Sequence, residues 1–283
     1  MRRLVIRSAY NSTLEQATRL MIKYKVNAIL VTNEEENGIG VLSKTDLMAA
    51  YYSEMAVDSP IEAMMTGPPF FCNPGDPLDE ALEKMRSKGV HRLYVSGEMP
   101  GKAIGVLAYP DIVGILYRYC YRCERSLTRR RGARADIPDA ERLKVREVMT
   151  PWVHTHAEDE TLFQVMEGLS SHHLGAALIT AEGGRPSGII SKTDLIVAYK
   201  HGIDPNVQAR TIMSSPVIAC SQSEFLCNAI QTMIFSDVHR LFVYGDDTIG
   251  VAGVLSLTDA ARIRSGTCRA CIATRVTIGG GAA

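Results

Sequence analysis

A chain of 283 residues has room for about two domains of the usual ~150 residues, each able to bury its own core, which excludes a disulfide-stapled miniprotein. Hydrophobic residues at 46% and charged residues at 22% are those of a globular chain and exclude disorder or a fibre. Thirty-one Lys plus Arg against 31 Asp plus Glu leave no net charge, so wholesale binding to nucleic acid or to an acidic membrane is not expected, and any anion site has to be local.

The N-terminal residues 1–12 are basic, with an apolar stretch too short for a signal peptide, and no run of about 18 apolar residues follows, so a cytoplasmic protein is expected. Residues 1–57 read as strand, helix, strand, strand, helix. Residues 58–118 give the same order most clearly. Phe70-Phe71-Cys72 is a short strand, Asp76 an N-cap with Pro77 at the first helical position, and Leu78, Ala81, Leu82 and Met85 one apolar stripe ended by Gly89. Strands Leu93 to Ser96 and Ala103 to Leu107 follow, and a second helix starts near Pro110. An Arg-rich joint, 119–144, separates this pair from 145–206, which reads like the first unit. Residues 207–265 give a strand at Val217 to Ala219, a capping box Ser221-Gln-Ser-Glu224, a stripe of Leu226, Ala229, Ile230 and Met233, then strands Leu241 to Tyr244 and Val251 to Leu255. The tail, 266–283, is glycine-rich at its end and reads as disordered.

These units are copies of one another. Ser43-Lys44-Thr45-Asp46-Leu47 returns 148 residues later as Ser191-Lys192-Thr193-Asp194-Leu195. Val90-His91-Arg92-Leu93 returns at the same offset as Val238-His239-Arg240-Leu241. Within each half, Asp46 to Asp111 and Asp194 to Asp259 are both 65 residues. One such unit covers a single face of its small sheet, so neighbouring units are expected to pair.

Each strand-to-helix junction, such as Gly40-Val-Leu-Ser43-Lys44-Thr45-Asp46 or Gly253-Val-Leu-Ser256-Leu-Thr258-Asp259, puts hydroxyls and free amides at a helix start, where an anion is stabilised. The aspartate can accept hydrogen bonds from both hydroxyls of a ribose. The same Ser-x-x-Asp is also an ordinary capping box that needs no ligand. His91-Arg92 and His239-Arg240 favour the first reading, because the opening of a core strand has no structural need for adjacent cations. Their counterparts in the other two units are Asn27-Ala28 and Gly175-Ala176, so cations occur in one partner of each pair. A His-Arg couple can then reach the phosphate of a nucleotide whose ribose is held by the facing unit.

Four copies of this junction in paired repeats, with Val-His-Arg-Leu opening a strand in copies two and four, resemble CBS domains arranged as two Bateman modules. The His-Arg placement is similar to that of the nucleotide-sensing gamma subunits of AMP-activated protein kinase. The resemblance implies an α+β chain of four βαββα CBS repeats forming two pseudo-two-fold Bateman modules. It also implies a non-catalytic regulatory protein that binds an adenosine nucleotide (AMP, ADP, ATP or a related adenosyl ligand) between paired repeats and signals occupancy to a regulated protein. By position, Asp46, Asp194 and Asp259 hold ribose. Ser43, Thr45, Ser191, Thr193, Ser256 and Thr258 approach phosphate, and His91, Arg92, His239 and Arg240 neutralise it. Copy two departs from the pattern, since Ala108 has no hydroxyl and Pro110 no N–H. The best-equipped sites are Asp46 with His91-Arg92 and Asp194 with His239-Arg240, with a weaker one at Asp259. The base is expected near Phe70, Val153 or Val217, and a homodimer is expected.

The cysteines offer a rival reading. Cys120-x-x-Cys123 matches Cys268-x-x-Cys271 at the 148 offset, and this spacing suits zinc, an iron–sulfur cluster or a dithiol switch, with the repeats as an oligomerising scaffold. Small buried cysteines at helix ends fit as well. His154 and His156 share one face of a strand, and His172-His173 follow the next helix, where the first unit has Ile6, Ser8, Tyr24 and Lys25. No P-loop, Ser-His-Asp order or metalloprotease motif appears, so no catalysis is expected.

Overall fold

A computed structural model describes residues 3–99, 101–112, 143–245 and 250–260. Residues 119–142 of the Arg-rich joint, the tail and all four CxxC cysteines lie outside the described residues.

Among the described residues, twelve strands form four separate three-stranded sheets, one per repeat. Repeat 1 holds β1 (Arg7–Ala9), α1 (Leu14–Lys23), β2 (Ala28–Thr32), β3 (Gly38–Ser43) and α2 (Lys44–Tyr52). Repeat 2 holds β4 (Phe71–Cys72), α3 (Leu78–Ser87), β5 (Arg92–Ser96) and β6 (Ala103–Ala108), with residues 109–112 helical. Repeat 3 holds β7 (Thr155–Ala157), α4 (Leu162–Ser171), β8 (Ala176–Thr180), β9 (Pro186–Ser191) and α5 (Lys192–Lys200). Repeat 4 holds β10 (Ala219–Ser221), α6 (Leu226–Phe235), β11 (Arg240–Tyr244) and β12 (Val251–Ser256), with 257–260 helical. In every sheet the first strand runs parallel to the second and the second antiparallel to the third.

The register matters for function. Ala28, Arg92, Ala176 and Arg240 each open the second strand and pair with Ser43, Ala108, Ser191 and Ser256, the last residues of the third. Each repeat therefore sets the first residue of its middle strand beside the start of its second helix.

The repeats meet in two ways. Sheet faces pack within a module: Val5, Leu30 and Val41 of repeat 1 lie against Phe71, Tyr94, Ala103 and Val106 of repeat 2. Leu178 and Phe242, the counterparts of Leu30 and Tyr94, are buried too. Helix faces pack between modules, repeat 1 against repeat 3 in one core and repeat 2 against repeat 4 in another. The four repeats thus close a ring within one chain, each covering both of its apolar surfaces, as burial of about 25 cal/mol per Å² of apolar area favours.

Two sequence expectations need correction. Asp76 does not cap α3, and Ser221 does not cap α6: the helices begin after Pro77 and Phe225, neither of which gives a side-chain cap. Asp76 instead accepts the Asn73 amide at 2.7 Å. The α6 start is served by chain from elsewhere, with Leu226 N–H donating to the Leu143 carbonyl at 2.8 Å. Caps read from sequence assume that the helix end faces water, and here an incoming segment covers it. In α1 and α4, Thr13 with Gln16 and Thr161 with Gln164 form the capping boxes instead.

Candidate functional site

Three of the four predicted junctions are built alike. Ser43 N–H and Oγ donate to Asp46 Oδ2 at 2.6 and 2.7 Å. The matching pairs are 2.7 and 2.7 Å for Ser191 and Asp194, and 3.0 and 2.6 Å for Ser256 and Asp259. The capping-box reading therefore holds, and it fixes one carboxylate oxygen of each aspartate. Oδ1 is the oxygen left to meet another group; in Asp194 it accepts from Ser214 Oγ at 3.1 Å. Burial pushes the Asp46 carboxyl above its usual range, opposed by the Ser43 bonds and by the Lys192 ammonium. In repeat 2 the Ala108 amide reaches Asp111 at 3.0 Å, and Ala108 has no hydroxyl to add the second bond that Ser43, Ser191 and Ser256 make.

Arg92 reaches out of its own repeat and donates to the Ala28 carbonyl of repeat 1 at 2.9 Å. Ala28 pairs with Ser43, so this guanidinium stands at the helix start that carries Asp46. Arg240 behaves alike: it crowds Gly175 of repeat 3, and the Gly175 carbonyl accepts the Lys192 amide at 3.1 Å. Arg240 is half-buried; desolvation pulls its guanidinium below the usual value, with Asp259 opposing. Among the described residues the buried Tyr94 hydroxyl has no hydrogen-bond partner by geometry, although it lies near enough to Arg92 to feel its charge. His91 is placed differently: exposed, its ring packs edge-on against Tyr109 of its own repeat at 5.8 Å. His239 is exposed as well, and its carbonyl accepts the Leu257 amide at 3.0 Å. The arginines, then, stand at the neighbouring helix starts, whereas the described histidine contacts are local. Thr258 is half-buried in the first turn after Ser256.

Two residues that sequence reasoning passed over dominate the centre. Lys44 Nζ donates to Thr193 Oγ1 at 2.8 Å, and Lys192 Nζ donates to Thr45 Oγ1 at 2.9 Å. Each lysine thus crosses from its own module to the threonine of the other. Burial lowers Lys44 to about 8, with Arg92 lowering it further and Asp194 opposing. Lys192 is lowered by burial and Arg240, with Asp46 opposing. Lys44, Lys192, Arg92 and Arg240 therefore form a basic cluster among Asp46, Asp194 and Asp259. The signal in the sequence was the repetition of Lys at 148 residues where the even repeats carry Tyr109 and Leu257. A shallow recess lined by Tyr10, Asn33, Glu34, Glu35 and Ile39 lies at the other end of β2, and its two glutamates make it a poor place for an anion.

Comparison with known proteins agrees with this architecture. The CBS domain profile matches residues 2–53, 61–118, 145–201 and 209–266. Among curated proteins, MK0525 of Methanopyrus kandleri is 29% identical over 43% of this chain and 62% of its own length. MJ1225 of Methanocaldococcus jannaschii is 21% identical over 68% of this chain and 65% of its own length. The matched part is thus a little under two thirds of either relative. The crystal structure of MJ1225, proposed as an archaeal homologue of g-AMPK, superposes over 93% of this chain and 97% of its own with a TM-score of 0.76 at 18% identity. An uncharacterized protein of Pyrococcus horikoshii superposes over 84% and 91% with a TM-score of 0.56 at 17% identity. No helix among the described residues is long and apolar enough to cross a membrane. Carrying four matched repeats that each fold as βαββα, the chain belongs to the CBS domain family.

Proposed function

We propose that this protein is a non-catalytic regulator that binds an adenosine nucleotide in the clefts between repeats 1 and 2 and between repeats 3 and 4. In this reading Oδ1 of Asp46, or Oδ1 of Asp194 in exchange for its bond from Ser214, takes the ribose, and Arg92 with Lys44, or Arg240 with Lys192, takes the phosphate. The observation that carries the proposal is the set of four half-buried or buried cations gathered at helix starts. Gathering like charges out of water is unfavourable, and an arriving phosphate would offset that cost with charge-assisted hydrogen bonds. Adenine, rather than another base, follows from the family resemblance.

Occupancy would be transmitted through the crossed lysines. A phosphate near Arg92 competes with Thr193 for Lys44, so filling one module alters a contact made by the other. That is a differential contact of the kind a ligand needs to shift an equilibrium read by a protein partner or a second copy of the chain.

The test is to release and identify co-purified nucleotide by mass spectrometry, then to follow melting of the stripped protein with millimolar AMP, ADP or ATP. Asp46→Ala or Arg92→Ala should weaken binding by about 1–3 kcal/mol. Melting unchanged by all three nucleotides would sink the reading.

A further inference from the structure

Repeat 3 carries a cluster that the nucleotide reading does not use. His154 just before β7 and His156 on it flank Thr155, and their Nε2 atoms face one another at 2.9 Å. The other ring nitrogen of His156, Nδ1, bonds the Glu160 carboxylate, which is itself held by the Ala157 amide at 3.0 Å. His156 is buried, 7% exposed. The His172 ring, at the exposed C-cap of α4, touches that of His154 with centroids 4.6 Å apart, and Trp152 lies against both.

We propose that His154 and His156 chelate a divalent transition-metal ion of the copper(II) or nickel(II) class, with Glu160 orienting His156 and His172 turning in as a third ligand. Three observations converge. First, the two Nε2 atoms already stand 2.9 Å apart, and at the usual metal–nitrogen distance of about 2.0–2.1 Å an ion taking the place of the proton between them would see that separation as about 90°. That is the cis angle of a tetragonal ion, narrower than tetrahedral zinc prefers. Second, a carboxylate on the far nitrogen of an imidazole is the support that metal-bound histidines use to fix ring orientation.

Third, space for the pair has been made. Gly168 of α4 stands over the two rings, and a Cβ there would collide with Nε2 of both. A glycine inside a helix costs about 1 kcal/mol relative to alanine, so its placement here calls for a reason. At the corresponding positions, 148 residues earlier, repeat 1 has Leu4, Ile6, Ser8, Ser12, Leu20 and Tyr24 in place of Trp152, His154, His156, Glu160, Gly168 and His172. The positions that carry aliphatic, serine and tyrosine side chains in one repeat carry, in its twin, imidazoles, a carboxylate and a glycine. Among the described residues no three ligating groups already surround one point; the third ligand comes from rotation of the exposed His172 side chain, and water completes the shell.

The test is a calorimetric titration of Ni2+ into the full chain after chelator treatment, alongside NMR of the histidine ring signals. One ion per chain is expected, with the His154 and His156 signals broadened. His156→Ala should weaken binding by about 100-fold, and Glu160→Gln by about 10- to 100-fold. His172→Ala, at an exposed position that leaves folding intact, should weaken it by about tenfold. Repeating the titration with Cys120, Cys123, Cys268 and Cys271 all changed to Ser should leave that ion in place. Binding that ignores Glu160→Gln and His172→Ala, that vanishes with the cysteines, or that fails to saturate by about 1 mM would overturn the proposal.

Discussion

Lys44 of repeat 1 donates to Thr193 of repeat 3 at 2.8 Å, and the return bond from Lys192 to Thr45 makes the link reciprocal. The apolar core shared by repeats 1 and 3 is therefore joined, where the two helix starts gather charge, by a pair of crossed charged hydrogen bonds. Tyr51 and Tyr199 repeat the relationship about two turns further along the same helices: Tyr51 donates to the Ile203 carbonyl at 2.8 Å and Tyr199 to the Met55 carbonyl at 2.7 Å.

Lys44→Met should separate function from stability. The lysine falls from 10.5 to about 8 on folding, and about 2.5 units at ~1.36 kcal/mol each correspond to a cost of up to about 3 kcal/mol. Because the folded value lies below the unfolded one, the unfolded chain binds more protons between pH 8 and 10.5, so this cost is full below pH 8 and fades as pH rises through that window. Urea melts at pH 7 should show the variant more stable by about 1–3 kcal/mol, with the gap closing by pH 10.5, while nucleotide affinity falls. A variant less stable than the parent at pH 7 would show that the Thr193 bond outweighs the buried charge.

The tyrosine pair makes the opposite prediction for alkali. Burial pushes both phenols up to about 12, with Asp204 adding to Tyr51 and Asp58 to Tyr199. Their folded values exceed the ordinary ~10, so their contribution is complete below pH 10 and is lost as pH rises from 10 to 12. Tyr51→Phe and Tyr199→Phe should each cost about 1 kcal/mol in urea melts at pH 7, by leaving a carbonyl without its donor. Since the rings are 5.4 Å apart, the double variant should depart from additivity. Single variants that melt like the parent would mean that water replaces the hydroxyl.

Repeat 2 invites a repair. Ala108 stands where the other three repeats place the serine cap, and its amide already reaches Asp111. Ala108→Ser should let a hydroxyl bond the Asp111 carboxylate, as Ser256 bonds Asp259 at 2.6 Å, and raise stability by about 0.5–2 kcal/mol in thermal or urea melts. A loss of stability would mean that Pro110 distorts the turn too far for the cap to form.

The repeats, their strands and the odd placement of Arg92 and Arg240 were legible because the 148-residue offset lets each copy be read against its twin. Both arginines in fact open their strands, one residue earlier than the apolar pattern suggested. The helix-to-helix pairing of repeats was not legible: the stripes Leu162, Val165, Met166 and Leu169 or Leu226, Ala229, Ile230 and Met233 announce a buried face without naming what covers it. Lys44 and Lys192 escaped notice because a lysine in a first helical turn ordinarily reads as solvated, and only the closed ring of repeats buries them. The two-residue spacing of His154 and His156 put them on one strand face, but their meeting with Glu160, Gly168 and His172 needed the packing of this strand under α4.

Gly175 offers the sharpest separation of the two proposed nucleotide sites. A Cβ there would run into the Arg240 guanidinium, whereas the corresponding residue beside Arg92 is Asn27, so the first module has already accommodated a side chain at this position. Gly175→Ala should push Arg240 away from Lys192 and the Asp194 helix start, because the far end of a flexible arginine yields more readily than the backbone. Stability should fall by about 1–3 kcal/mol through overpacking. Calorimetric titration with AMP should then show the repeat 3 and 4 site weakened by about tenfold or more while the Asp46 site keeps its affinity, since loss of one charge-assisted bond is about 1.5–3 kcal/mol. Equal weakening of both sites would mean that the crossed lysines carry the disturbance between modules, and unchanged binding at both would remove Arg240 from phosphate recognition.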